Sequence, residues 1–236
     1  MESLRSTGHQ NCEFRLLDLS STESIHQFVE SIKIDYNNSI DILVNNGAVA
    51  FKADDPTPFQ QQARPTLTTN YFGNYELTMK LLPLLRNAKN FGRLVNVASE
   101  AGHLRILKNP ALKEKFANIS ELTIPTLNDL LSVFIRDVEN GTHVENGWPS
   151  TCYGMSKLGL IALTKRLALE DESQDLPKHV LITCCCPGYC DTDMTSHKGT
   201  KSARDGAKTP VFLALTPAYS SSLNGNFFSN EKEIPW

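Results

Sequence analysis

Residues 41–46, DILVNN, form a short apolar run with no alternation of polarity along it. A strand wetted on one face alternates apolar and polar residues, so a run without alternation belongs to a strand covered on both faces, as in a parallel sheet. Such a sheet needs crossovers, and the surrounding sequence supplies them. FRLL (14–17), ending at Asp18, reads as a short strand, and residues 22–36 carry Ile25, Phe28, Val29 and Ile32 at helical spacing. After DILVNN come a helix from about Thr66 to Leu85, a strand RLVNVAS (93–99), a helix over 153–170, a strand HVLITCCC (179–186) and a last strand GNFFS (225–229). Strand and helix alternate, which predicts an α/β, doubly wound sheet. The 236 residues suit a single domain, 1–236.

One stretch, about 103–147, breaks the rhythm. Within it Leu127, Leu130, Leu131, Phe134, Ile135 and Val138 share one face of a helix that begins near Pro125 and stops at Asn140-Gly141. This predicts a packed helical insertion before Tyr153 rather than a linker.

Charge narrows the partners. With 23 basic and 26 acidic residues the net charge is −3 and no basic stripe is present, which argues against nucleic acid. No apolar run reaches the roughly 18 residues of a membrane span, and the first ten residues lack the apolar core of a secretory signal, so a cytosolic protein is expected. Of six cysteines, Cys184, Cys185 and Cys186 are consecutive. Successive strand side chains alternate faces, so these three cannot converge on one metal; free thiols and no metal site are expected.

In a doubly wound sheet, ligands sit outside the carboxyl ends of the strands. There the sequence sets Asp18, then Asn45 and Asn46, then Ser99, then PGYCDT (187–192), with Tyr153 and Lys157 opening the helix beyond the insertion. Tyrosine, with an ordinary pKa of about 10, is a poor proton carrier at neutral pH unless its phenolate is stabilised. A lysine within about 4 to 6 Å does this. With a serine hydroxyl to hold a carbonyl oxygen, the set suits carbonyl reduction by a nicotinamide cofactor. Each residue also has a plainer role. On that alternative reading Tyr153 and Lys157 would be a surface i,i+4 pair, Asn70 would cap or kink a helix, Ser99 would end a strand, Asp18 would cap a helix, and Phe51 and Met194 would only pack.

YGMSK (153–157), Ser99 at the end of VNVAS, Asn70 in TTNYFGN, DILVNN and CCCPGYCDT together resemble a short-chain dehydrogenase/reductase. The insertion, AFKADDPTPF (50–59), NGWPS (146–150) and the closing tryptophan resemble, more narrowly, the cytosolic NADPH-dependent carbonyl reductases. The resemblance implies a Rossmann-type fold and a catalytic set of Asn70, Ser99, Tyr153 and Lys157. In that set Tyr153 is the proton donor, Lys157 lowers its pKa and holds the nicotinamide ribose, Ser99 binds the carbonyl, and Asn70 positions a water. It implies NADPH contacts at Asp18, Leu19, Asn45, Asn46, Tyr153, Lys157, Pro187, Gly188, Cys190, Asp191 and Thr192. Substrate contacts fall on Phe51, Lys52, Gln62, Ser99, Tyr189 and Met194, with small carbonyl compounds and glutathione conjugates as partners, and the chain a monomer.

The sequence departs from the family in places. FRLL matches the family's third strand, so the fold is expected to lack its first two strands, roughly 60 residues at ~30 per βαβ unit. With them goes the glycine-rich phosphate turn; after Gly8 the next glycine is Gly47. An unstable chain with a weakened hold on NADPH is expected, and DILVNN becomes an exposed edge. Asn45-Asn46-Gly47-Ala48 replaces Asn-Asn-Ala-Gly, and Glu100 and Asp191 bring charge to the site. A non-catalytic truncated form is the alternative. A hydrolase built on Ser99 fits poorly, because ASEAG is no G-x-S-x-G elbow.

Overall fold

A computed structural model describes residues 11–52 and 54–236. The first helix, α1 (Thr22–Asp35), is capped by Ser21, whose hydroxyl accepts from Ser24 N at 3.2 Å, and it buries Ile25 and Val29. Strand β1 (Ile42–Asn45) follows. Helix α2 (Phe59–Leu67) runs through a π-type turn (Thr68–Gly73) into α3 (Asn74–Arg86). This helix starts seven residues before the expected Thr66, its added turns burying Ala63. Pro65 lies inside it.

Next come β2 (Arg93–Val97), α4 (Pro110–Ala117), α5 (Ile124–Glu139), α6 (Cys152–Glu172), β3 (Leu181–Cys186), two short helices α7 (Ala203–Gly206) and α8 (Lys208–Ala214), and a hairpin of β4 (Phe227–Ser229) and β5 (Lys232–Glu233). The sheet order is β1-β2-β3-β4-β5, parallel throughout except for β4 with β5. Alternation along the strands divides the core. Leu94, Ala98, Cys184 and Cys186 face α2, α5 and α6, whereas Val95, Val97 and Cys185 face Leu213 and Ala214 of α8. All six residues of β3 are buried, its thiols packing as small apolar groups. The doubly wound parallel sheet is therefore present.

FRLL is a correction. Residues 14–17 form no strand, and Phe14 and Leu16 are 72% and 79% exposed. An extended segment becomes a strand only when a neighbour completes its ladder, and among the described residues none lies alongside. On the same grounds β1 is the outer strand, with Ile42 and Val44 partly exposed. Neither α4 nor the two-residue β5 was expected; each is too short to show a period.

The insertion packs as predicted by its periodicity. Leu127, Leu131, Phe134, Ile135 and Val138 are buried and Leu130 is half-buried. Trp148 closes the insertion edge-on to Phe134, 5.7 Å between ring centres, and its indole N–H donates to Asp137 Oδ2 at 2.8 Å. Among the described residues no helix is long and apolar enough to cross a membrane, and no group of His, Cys, Asp and Glu side chains is arranged to hold a metal ion.

Candidate active site

Strand β2 sets the first functional group. Ser99 lies two residues past its end in extended backbone, and its Oγ accepts from Ala101 N at 3.1 Å, capping a single 3₁₀ turn, Glu100–Gly102. That turn lies directly on α6. A Cβ built on Gly102 would sit 2.6 Å from both Lys157 C and Leu158 N, so only glycine permits the approach. Thr151 starts α6, its Oγ1 accepting from Gly154 N at 3.0 Å, and thereby places Tyr153 and Lys157 on successive turns beside Ser99.

Lys157 is 3% exposed, and its Nζ donates to Val97 O at 2.7 Å. Among the described residues that carbonyl is its one acceptor, which leaves two of its three N–H groups without a protein partner. The ammonium lies 5.6 Å from the centre of the Tyr153 ring. Burial pulls Lys157 down to about 8, opposed by nearby Cys186 and Cys185. Burial also pushes the Tyr153 phenol up, and the Ser99 hydroxyl beside it works the other way. The lowering of Tyr153 expected from the lysine is not seen: desolvation prevails, and the opposing pull comes from Ser99. A phenol with a raised pKa keeps its proton at neutral pH and gives it up only to a stronger base, such as an alkoxide.

Asn70 sits in the π-type turn. Its Oδ1 accepts from Val49 N at 2.8 Å, and its Nδ2 donates to Val49 O at 2.8 Å and to Ser156 Oγ at 3.0 Å; Ser156 in turn donates to Tyr153 O at 2.8 Å. Both amide hydrogens are spent on protein, so the side chain ties α6 to the segment after β1 and has no N–H left for water.

The segment after β3 leads away from Cys186, which lies near Tyr153 and Lys157. Gly188 has φ +86, a conformation that favours glycine, and its N–H donates to Cys186 Sγ at 3.3 Å. Thr192 caps the following turn with Thr195 in a reciprocal box. Asp191 and Asp193 hold the His197 imidazole at 2.7 and 3.0 Å; Asp191, then Asp193, raises its pKa. Tyr189 and Met194 project from this segment, 53% and 41% exposed.

The other expected residues form separate groups. Asn45 faces the interior, donating to Thr78 Oγ1 and Asn96 Oδ1 at 2.8 Å each, while Asn46 is exposed. Asp18 is exposed, and its Oδ1 accepts from Ser20 N and Ser20 Oγ, which hold its carboxyl below the usual range. Leu19 packs under Gly47 and Gly73. Half-buried Phe51 and exposed Lys52 follow β1, and Gln62 on α2 donates to Thr57 O at 2.8 Å. Sequence reasoning missed Thr151, Ser156, Gly102 and Cys186. Thr151 alone carried a signal, a hydroxyl residue just ahead of a helix.

A hydroxyl, a phenol and a buried ammonium at the carboxyl end of a parallel sheet can hold an oxygen atom and move a proton to it. The chain belongs to the short-chain dehydrogenase family, whose model matches residues 1–111 and 141–203 and leaves out the whole of α5. It is 40% identical to carbonyl reductase [NADPH] 1 of Mus musculus and 39% identical to that of Homo sapiens. Each match runs over 225 residues, 94% of this chain and 79% of the relative. Among solved structures, salutaridine reductase from Papaver somniferum superposes with a TM-score of 0.85 at 26% identity, covering 96% of this chain and 85% of that one.

Proposed function

We propose that this chain is an NADPH-dependent oxidoreductase that reduces carbonyl compounds (ketones, aldehydes and quinones) to alcohols, with Tyr153 as proton donor. The observation that carries this reading is the convergence of Ser99, Tyr153 and Lys157 at the end of β2, with the ammonium 5.6 Å from the phenol ring centre. NADPH, when bound, supplies the hydride. The Ser99 hydroxyl donates to the carbonyl oxygen and holds it beside the phenol. Tyr153 passes its proton to that oxygen as negative charge develops there. Lys157, with its pKa of about 8, is largely charged at neutral pH and stabilises the phenolate left behind. Asn70 contributes by fixing Ser156 and hence the first turn of α6.

The residues fit one end of the cofactor. Lys157 offers two unpartnered N–H groups to the ribose hydroxyls nearest the nicotinamide, and Pro187, Gly188, Cys190, Asp191 and Thr192 form the wall facing that ring. Asp18, Leu19 and Asn46 are assigned to the adenosine side, and Asn45 supports them from within the core. Among the described residues no glycine-rich turn opens a helix, so the phosphates find no backbone cradle there. Phe51, Lys52, Gln62, Tyr189 and Met194 are assigned to substrate, and the exposed Lys52 ammonium suits the carboxylates of a glutathione conjugate. Six free thiols suit a reducing cytosol, and the proposal includes a monomer.

Tyr153→Phe tests the assignment. Carbonyl-dependent NADPH oxidation should fall by about 10²- to 10⁴-fold, the usual share of a general acid. NADPH binding, followed by fluorescence titration, should stay near that of the parent chain. A variant that reduces carbonyls at the parent rate refutes the role.

A further inference from the structure

The peptide bond between Pro187 and Gly188 is gripped from both sides. Its carbonyl accepts from Lys201 Nζ at 3.1 Å and from Cys190 Sγ at 3.5 Å, while its N–H donates to Cys186 Sγ at 3.3 Å. In a trans peptide these groups point in opposite directions, so the unit is held like a plate between two thiols, with the ammonium on the carbonyl side. Lys201 has a second acceptor, Asn230 Oδ1 at 3.0 Å. Asn230 and Glu231, with φ of 50 and 61, form the tight turn between β4 and β5, and Glu231 N is anchored in turn to Thr209 Oγ1 at 3.1 Å.

Lys201 also joins the segment through its own backbone, with Lys201 N donating to Tyr189 O at 3.1 Å and Asp191 N donating to Lys201 O at 2.8 Å. Gly188 makes room for the lysine stem; a Cβ there would lie 3.1 Å from Lys201 Cδ. Among the described residues Lys201 forms no ion pair, so its charge is committed to two neutral oxygens. On its outer side the segment is unsupported, with Tyr189, Asp191, Asp193 and Met194 exposed and Ser196 and His197 at positive φ.

We propose that Lys201 is a positioning residue, a charged strut between Pro187 O and Asn230 that sets where the wall formed by Pro187–Thr192 stands relative to Tyr153. The proposal rests on the reductase function proposed above, in which that wall faces the nicotinamide. Charge assistance makes the strut stiffer than a neutral bond, and misplacing a reacting pair by an ångström costs far more rate than affinity.

Hydrogen exchange of the protein alone, with no cofactor or substrate, reads the strut directly. In Lys201→Met, amides of residues 188–192 should exchange on the order of tenfold faster while the rest of the sheet is unchanged. In the same variant kcat should fall by about tenfold and KM for the carbonyl substrate should move by less than about twofold. Lys201→Arg should restore most of both, since a guanidinium can span the same two oxygens. Asn230→Gly keeps the positive φ but removes the acceptor, and should give an intermediate result. Exchange in 188–192 that stays at the parent rate in Lys201→Met overturns the strut, whatever the activity does. A general loss of protection that arginine does not rescue also overturns it, in favour of a purely structural lysine. Faster exchange in Lys201→Met when the parent chain itself reduces no carbonyl would leave the strut standing but refute the reductase function, and with it the role of Lys201 in placing a nicotinamide-facing wall.

Discussion

Replacing Lys157 by methionine should alter stability in a way that depends on pH, with a sign fixed by the burial of its ammonium. In the folded chain burial pulls the group from 10.5 to about 8, and in the unfolded chain it returns to its ordinary value. Below about 8 it is charged in both states, and the fold carries the whole desolvation cost. Between about 8 and 10.5 the folded chain has released the proton that the unfolded chain still holds, so stability rises with pH through that window. At 1.36 kcal/mol for each pKa unit the full gap is worth about 3.4 kcal/mol. About 2.5 kcal/mol of it is recovered between pH 7 and pH 10. Methionine has a similar shape and no charge, and every other titrating group is common to the two chains. Loss of the bond to Val97 O shifts the comparison by a near-constant amount, so the pH dependence isolates residue 157. Urea unfolding of both chains at the two pH values measures it. The advantage of Lys157→Met over the parent should shrink by about 2.5 kcal/mol on going to pH 10. A difference that is flat within about 1 kcal/mol, or that grows, would refute the argument that the ammonium is held at a desolvation cost.

Two further outcomes follow from packing. Gly102→Ala forces a Cβ to 2.6 Å from the α6 backbone, where nothing flexible can give way. It should cost about 1 to 3 kcal/mol in urea unfolding and slow reduction by shifting the Ser99 turn; a variant matching the parent in both would remove the close approach from the site's geometry. Val44→Lys on the outer strand β1 should suppress light scattering on prolonged incubation while leaving stability within about 1 kcal/mol of the parent. Undiminished scattering would mean that association runs through another surface.

Two kinds of pattern were legible in the sequence: the one-sided apolar face of α5, and the unbroken apolar runs of the three parallel strands through DILVNN, RLVNVAS and HVLITCCC. FRLL misled because a strand is a property of a pair. Its composition is right, but among the described residues no neighbouring strand accepts its backbone bonds. The start of α2 left little trace in the sequence, since the turns ahead of Pro65 bury Ala63 alone. At the site, the order Ser99, Tyr153, Lys157 was visible as spacing, because strand ends and i,i+4 pairs translate directly into space. Gly102 and Lys201 were not, since close backbone approach and a bond across 14 residues leave no periodic trace. The inward turn of Asn45 follows from strand alternation, which sends it and Asn46 to opposite faces.

Strand β2 carries Val97, whose carbonyl receives the Lys157 ammonium, and ends two residues before Ser99. The spacing between the groups proposed as proton relay and as oxygen-holding hydroxyl is therefore gauged by a few ångströms of extended backbone, at about 3.3 Å per residue, locked in register on both sides. A one-residue slip would turn Ser99 to the opposite face and withdraw the carbonyl at once, so the gauge is read correctly or not at all. The surfaces assigned to substrate, around residues 50–62 and 187–194, hang on other elements. Their length and chemistry can drift without recalibrating the proton machinery, and selection can change what such a chain reduces while leaving untouched how it does so.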